Sequence, residues 1–275
     1  MGSGEQGDLF GNAEAGAGVC AGAGACAEAW EKGLSAADAL ALAGLYSDEG
    51  VDLEALPPEA GRLFELSANA FSAIIHARAS ELPIAAQIAR FGEKVLAAAD
   101  AAGMSANAAA PAARGRAESA MRRAAELAAE DRGDRDACAV HEAAHKARHE
   151  ICRLRGLLRF APGEGGAYVA LCSPDHFVLP ALGGHFKKRF GGAPWAIIDE
   201  KRRLRLSHAP KRPLELFRIG EIPEAPGEAQ GGKWESLWRQ YHKAVSNEDR
   251  RNPELQRQFL PQRYWKHLTE MQGKP

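Results

Sequence analysis

The sequence predicts an α+β fold, with an Ala-rich helical N-terminal region followed by a mostly antiparallel sheet flanked by helices. Three observations carry that expectation. From Ser35 to about Arg155, apolar residues recur at helical spacing in an alanine-rich background. Between residues 156 and 219, five short runs have the length or the alternation of strands. Beyond a Gly/Pro-rich interval, two more helical segments close the chain.

Each element has its own reason. Residues 1–29 are mostly Gly and Ala, as in GVCAGAGACA, with too little apolar bulk to bury, and are expected to form a flexible leader. Ser35 is a cap for a short helix through Leu45. Pro58 suits the first turn of a helix reaching Ala79, with Leu63, Leu66, Ala70, Phe71, Ile74 and Ile75 near one spacing. Pro83 opens a third helix, and Gly103–Pro111 is expected to link it to Arg116–Glu130 and Asp134–Arg155. Gly156–Phe160, Ala167–Cys172 and Trp195–Asp199 are apolar runs of strand length, whereas Arg203–Ser207 and Leu214–Ile219 alternate. His176–Phe190 is expected to be a helix capped by Asp175, and Gly220–Gly232 a loop. Lys233–Val245 and Pro253–Glu270 complete the helices, the last one broken at Pro261. The expected organisation is a leader at 1–29, a helical region at 30–133 and an α+β domain at 134–275.

With 275 residues, 45% hydrophobic and 26% charged, the chain is neither collagen-like nor wholly disordered. No run approaches the ~18 consecutive apolar residues of a membrane span. The acidic start MGSGEQGDLF has no secretory character, and five scattered cysteines make no disulfide framework, so a cytoplasmic location is expected. The net charge of −1 hides a division: residues 1–149 hold 13 Lys+Arg against 22 Asp+Glu, and residues 150–275 hold 22 against 14. A basic half of this kind fits a polyanionic partner, or an acidic partner within the same chain.

Three constellations bear on chemistry. His141-Glu142-Ala143-Ala144-His145 has the HExxH form, two imidazoles one turn apart with Glu142 as a base, the pattern of a zinc-dependent hydrolase. The same spacing fits a solvated helix face, and no metal is expected in the main reading. Asp175-His176, His185 and Asp199-Glu200-Lys201-Arg202 bring carboxylates and imidazoles into one stretch, so His176, His185 and Asp199 are candidates for acid, base and orienter. The local alternatives are a cap at Asp175 and a polar hairpin turn at DEKR. Finally, HFKKRF, EKRRLRL, APKRP, RNPELQRQF and PQRYWKHL interleave cations with aromatics, as nucleic-acid binders do. Arg189, Arg202, Arg203, Arg251, Arg257, Arg263 and Lys266 are the candidate phosphate contacts, with Tyr264 and Trp265 as stacking residues.

The ordered set HEICRLRGLLRF (149–160), YVALCSPDHFVLPALGGHFKKR (168–189), PWAIIDEKR (194–202), WRQY (238–241), RNPELQRQF (251–259) and PQRYWKHL (261–268) resembles a bacterial family of DNA-repair or DNA-metabolism proteins. Genes of that family neighbour one for a radical-SAM protein, and some members are fused to a uracil-DNA-glycosylase-like domain. The resemblance covers residues 135–272 and implies DNA and a radical-SAM protein as partners, with no established reaction; no membrane and no cofactor are expected from the sequence. It does not extend to HExxH, and Cys152 stands where the family has a histidine. With nothing resembling a glycosylase after Leu268, the stand-alone form is expected. The alternatives are the zinc hydrolase and a non-catalytic adaptor for the radical-SAM protein.

Overall fold

A computed structural model describes residues 35–107, 114–163, 166–222 and 228–271. The expected leader at 1–29 lies outside them. The architecture is α+β. Helices α1 (Ala36–Gly44), α2 (Pro58–Leu66), α3 (Ala68–Ala79), α4 (Ala85–Asn107), α5 (Arg114–Glu130) and α6 (Arg135–Leu157) precede the sheet. Strands β1 (Ala161–Pro162), β2 (Tyr168–Cys172), β3 (Trp195–Asp199), β4 (Leu204–His208) and β5 (Glu215–Arg218) follow, with α7 (Gly183–Phe190) between β2 and β3. Helices α8 (Glu228–Val245) and α9 (Pro253–Phe259) and a 3-10 segment, Gln262–His267, come last.

The described residues fall into two compact units. A helical unit runs to Arg153 and takes in Asp175–His185; a sheet unit takes Leu154–Pro174 and the chain from Phe186 onward.

In the helical unit, Ser35 caps α1 through a capping box with Asp38. The single helix expected from Pro58 to Ala79 is two. Ser67 is extended at φ −151°, ψ 97°, ending α2, and its hydroxyl accepts from the Ala70 N–H to start α3. The linker expected from Gly103 is helix as far as Asn107. A Cβ on Gly103 would stand 2.9 Å from Met121 Sδ, so this glycine serves the close approach of α4 and α5 rather than a chain break. Phe71, Ile75, Phe91, Val95, Val140 and Ile151 form the buried core. Asp175 does not cap a helix: Glu150 accepts from the N–H groups of Asp175 and His176 at 2.9 and 2.8 Å. A 3-10 turn, Leu179–Leu182, then leads into α7.

The sheet runs in the order β1-β2-β3-β4-β5. Only the β2–β3 ladder is parallel; β1–β2, β3–β4 and β4–β5 are antiparallel. The connection between β2 and β3 contains α7, long enough for a parallel crossover, whereas the others are hairpins. The strand expected at Gly156–Phe160 is instead the end of α6, which runs to Leu157 with Leu158 N bonded to Leu154 O, followed by three residues without regular structure, and β1 begins only at Ala161. An apolar run this short satisfies either period, and Ile151 and Leu154 set the helical register upstream. Helix α8 begins at Glu228, inside the interval expected to be loop. All of β3 is buried, and Trp195 packs on Phe186 and His208.

Candidate functional site

In the sheet unit the parallel strands end in register, Cys172 opposite Asp199. Carboxyl ends of adjacent parallel strands are where α/β sheets place polar chemistry. Asp199 is 0% exposed, and its carboxylate is fully engaged. It accepts from the N–H groups of Lys201 and Arg202 at 2.9 and 3.1 Å and from Arg202 Nη1 at 2.8 Å. Arg202, only 12% exposed at its side chain, also donates to Pro174 O at 3.1 Å, tying the ends of β2 and β3 together. Burial pushes the Asp199 carboxyl above its ordinary value, with Arg202 pulling the other way.

Glu200 is the centre of a second cluster. Its N–H donates to Cys172 O, while Oε2 accepts from Ser173 Oγ at 2.8 Å and Lys266 Nζ at 2.6 Å. His267 Nε2 lies 3.4 Å from the same oxygen. Burial alone would raise the Glu200 carboxyl, but Lys266 and Ser173 outweigh it and hold it below the usual range. Burial depresses His267 against the pull of Glu200. Hydroxyl, carboxylate, ammonium and imidazole thus meet in one place.

Helix α8 carries a third feature. Glu270 accepts from Arg159 Nη2 at 2.6 Å and from Trp238 Nε1 at 2.9 Å, and the Arg159 guanidinium lies 5.7 Å from the Trp238 ring centroid. Trp238 is 39% and Tyr241 57% exposed, with ring centroids 5.7 Å apart. Arg189, Arg203, Arg251, Arg257, Arg263 and Lys266 are exposed. Residues 154–174 and 186–275 hold 21 Lys+Arg against 12 Asp+Glu, a net of +9.

The expected site residues therefore separate. Arg202 and Asp199 form a buried pair. Tyr264 is a core residue, 2% exposed, beneath the Arg263 guanidinium at 4.8 Å. Trp265 is half-buried and donates to Leu260 O. In the helical unit, His176 Nδ1 bonds to Ser80 O at 2.8 Å and His185 is half-buried. His141 Nε2 donates to Ala129 O at 2.8 Å, so a metal using that nitrogen would have to replace a bond already made. His145 stacks on His149, 5.9 Å apart. No group of three metal-ligating side chains occurs among the described residues. Ser173, His267, Glu270, Trp238 and Tyr241 were not legible as site residues. They are scattered in sequence: His267 lies in the cation-rich PQRYWKHL, Ser173, Trp238 and Tyr241 lie in segments that carry the family resemblance, and no local signal marks Glu270.

Fold and surface define an α+β protein whose sheet unit is basic. A family profile described as a domain of unknown function, DUF4130, matches residues 117–270, and the chain belongs to that family. No curated protein and no solved structure matches the chain. No helix among the described residues is long and apolar enough to cross a membrane.

Proposed function

We propose that this protein binds DNA through its basic sheet unit and acts in DNA repair or DNA metabolism with a radical-SAM partner, in the cytoplasm. The observation that carries the reading is the +9 net charge of residues 154–174 and 186–275, with Arg189, Arg203, Arg251, Arg257 and Arg263 exposed and Trp238 and Tyr241 also at the surface. Phosphate neutralisation by such cations releases counterions and supplies sequence-independent affinity. Exposed aromatic faces add stacking on unpaired bases. The resemblance of residues 135–272 supplies the repair context and the radical-SAM partner.

The test is fluorescence anisotropy with single-stranded, duplex and uracil- or gap-containing DNA across a salt series. Affinity falling steeply with salt supports the reading, and a preference among the DNAs names the substrate class. No binding at low salt overturns it.

One observation favours the adaptor as a second reading. Leu237, Val245, Leu255 and Phe259 are exposed on α8 and α9, apolar area of the kind that protein partners cover. That reading expects co-purification with the radical-SAM protein and no salt-dependent DNA binding.

A further inference from the structure

Some cations of the helical unit are neutralised on the spot. Asp136 takes Arg90 and Lys94, Asp38 takes Arg78 and Asp100 takes Arg62. Arg132, Lys146 and Arg148 have no carboxylate within ion-pair distance among the described residues, and unlike the other cations without one they share a concavity. All three line one concavity of about 390 Å³ with His141, Glu142 and His145. A second, of about 450 Å³, shares Arg132, His141 and Arg148 and adds Asn69 and Glu130. Volumes of this size are those of small-ligand pockets.

Two of the lining groups are held in place before any ligand arrives. The His141 ring is fixed by its bond to Ala129 O and by an edge contact with Phe91, 5.9 Å between centroids at 76°. Arg148 Nη2 donates to Ser72 Oγ at 3.1 Å, leaving other guanidinium N–H groups for a second acceptor. Three cations outnumber the two carboxylates of the walls, Glu142 and Glu130, so the pocket favours a compact multivalent anion over a metal cation. Guanidinium forks match the oxygen spacing of phosphate.

We propose that this pocket binds a phosphate monoester, clamped by Arg132, Lys146 and Arg148 with His145 as a further donor. The ester belongs to a free nucleotide or to the 5′ end of a nucleic acid, and the two sources share this chemistry. All of its lining residues belong to the helical unit.

The experiment is calorimetric titration of the full chain with inorganic phosphate, a nucleoside 5′-monophosphate and the parent nucleoside, at constant ionic strength. Saturable binding of phosphate and monophosphate but not nucleoside is expected. Arg132→Ala and Lys146→Ala, both at exposed positions that leave the fold intact, are each expected to weaken it about tenfold. Arg257→Glu in the sheet unit is expected to leave it unchanged, so this site and the DNA-binding reading fail separately. A 5′-phosphorylated oligonucleotide compared with its 5′-hydroxyl counterpart in the Arg257→Glu background separates a chain terminus from a free nucleotide. Absence of saturable binding at millimolar phosphate, affinity unchanged in both alanine variants, or stoichiometric zinc that disappears in His145→Ala would overturn the proposal.

Discussion

Lys266 Nζ and Glu200 Oε2 meet at 2.6 Å although 66 residues separate them in the chain. The bond ties the C-terminal 3-10 segment to the carboxyl end of β3, beside Ser173 at the end of β2. Lys266 remains 57% exposed at its side chain, so it can neutralise Glu200 and still face solvent. An exposed pair of this kind contributes little stability, about 0–1 kcal/mol. Its consequence is electrostatic: with Ser173 it holds the Glu200 carboxyl below its ordinary range, against the effect of burial.

The Asp199–Arg202 pair is expected to act in stability rather than in DNA contact, since Asp199 is buried and the Arg202 side chain is 12% exposed. Arg202→Ala is expected to strand a buried carboxylate and cost about 3–5 kcal/mol in urea denaturation. DNA affinity of the folded variant should stay near that of the parent. A large drop in affinity with stability intact would show that the guanidinium leaves Asp199 to meet phosphate.

Acid sensitivity is expected from His76. Burial lowers its pKa from 6.5 to about 4, with the Ser72 carbonyl opposing and Arg148 assisting. Tyr46 Oη lies 2.8 Å from its Nε2. As pH falls through the window between those values, the unfolded chain takes up a proton that the folded imidazole refuses, so stability is lost on acidification. The upper bound is about 3 kcal/mol. Urea midpoints at pH 7 and pH 4.5 measure it, and His76→Gln should flatten the dependence. An undiminished slope in that variant would assign the effect to other groups.

Exposed cations of the C-terminal helices should set the salt dependence. Replacing Arg239, Arg251 and Arg257 together with alanine is expected to lower the slope of log affinity against log salt by about 0.9 for each duplex phosphate no longer neutralised. Circular dichroism should be unchanged, since all three side chains are exposed. An unaltered slope would move phosphate binding elsewhere on the surface.

Tyr241 is a better stacking candidate than Tyr264. Tyr241→Ala should weaken single-stranded DNA binding by about 1–3 kcal/mol, the range for one base on an aromatic face, and affect duplex much less. Tyr264→Ala should instead destabilise the fold, because its ring is buried. Equal weakening on single strands and duplex in Tyr241→Ala would argue against stacking.

The sequence by itself determined the fold class, the four longer strands and the Ser35 cap, because side-chain period and capping chemistry act within a few residues. It also located the surplus of positive charge, which is a matter of counting. It did not determine the break at Ser67, the helix across Leu157 or the role of Gly103, where short apolar or glycine-containing stretches suit two structures and packing chooses. Nor could it tell Tyr264 from Tyr241, or Arg202 from Arg257, since burial and pairing depend on partners far along the chain. Only the tertiary structure brings Ser173, Glu200, Lys266 and His267 to one point: the parallel pairing of β2 with β3 is a long-range arrangement that no local pattern encodes.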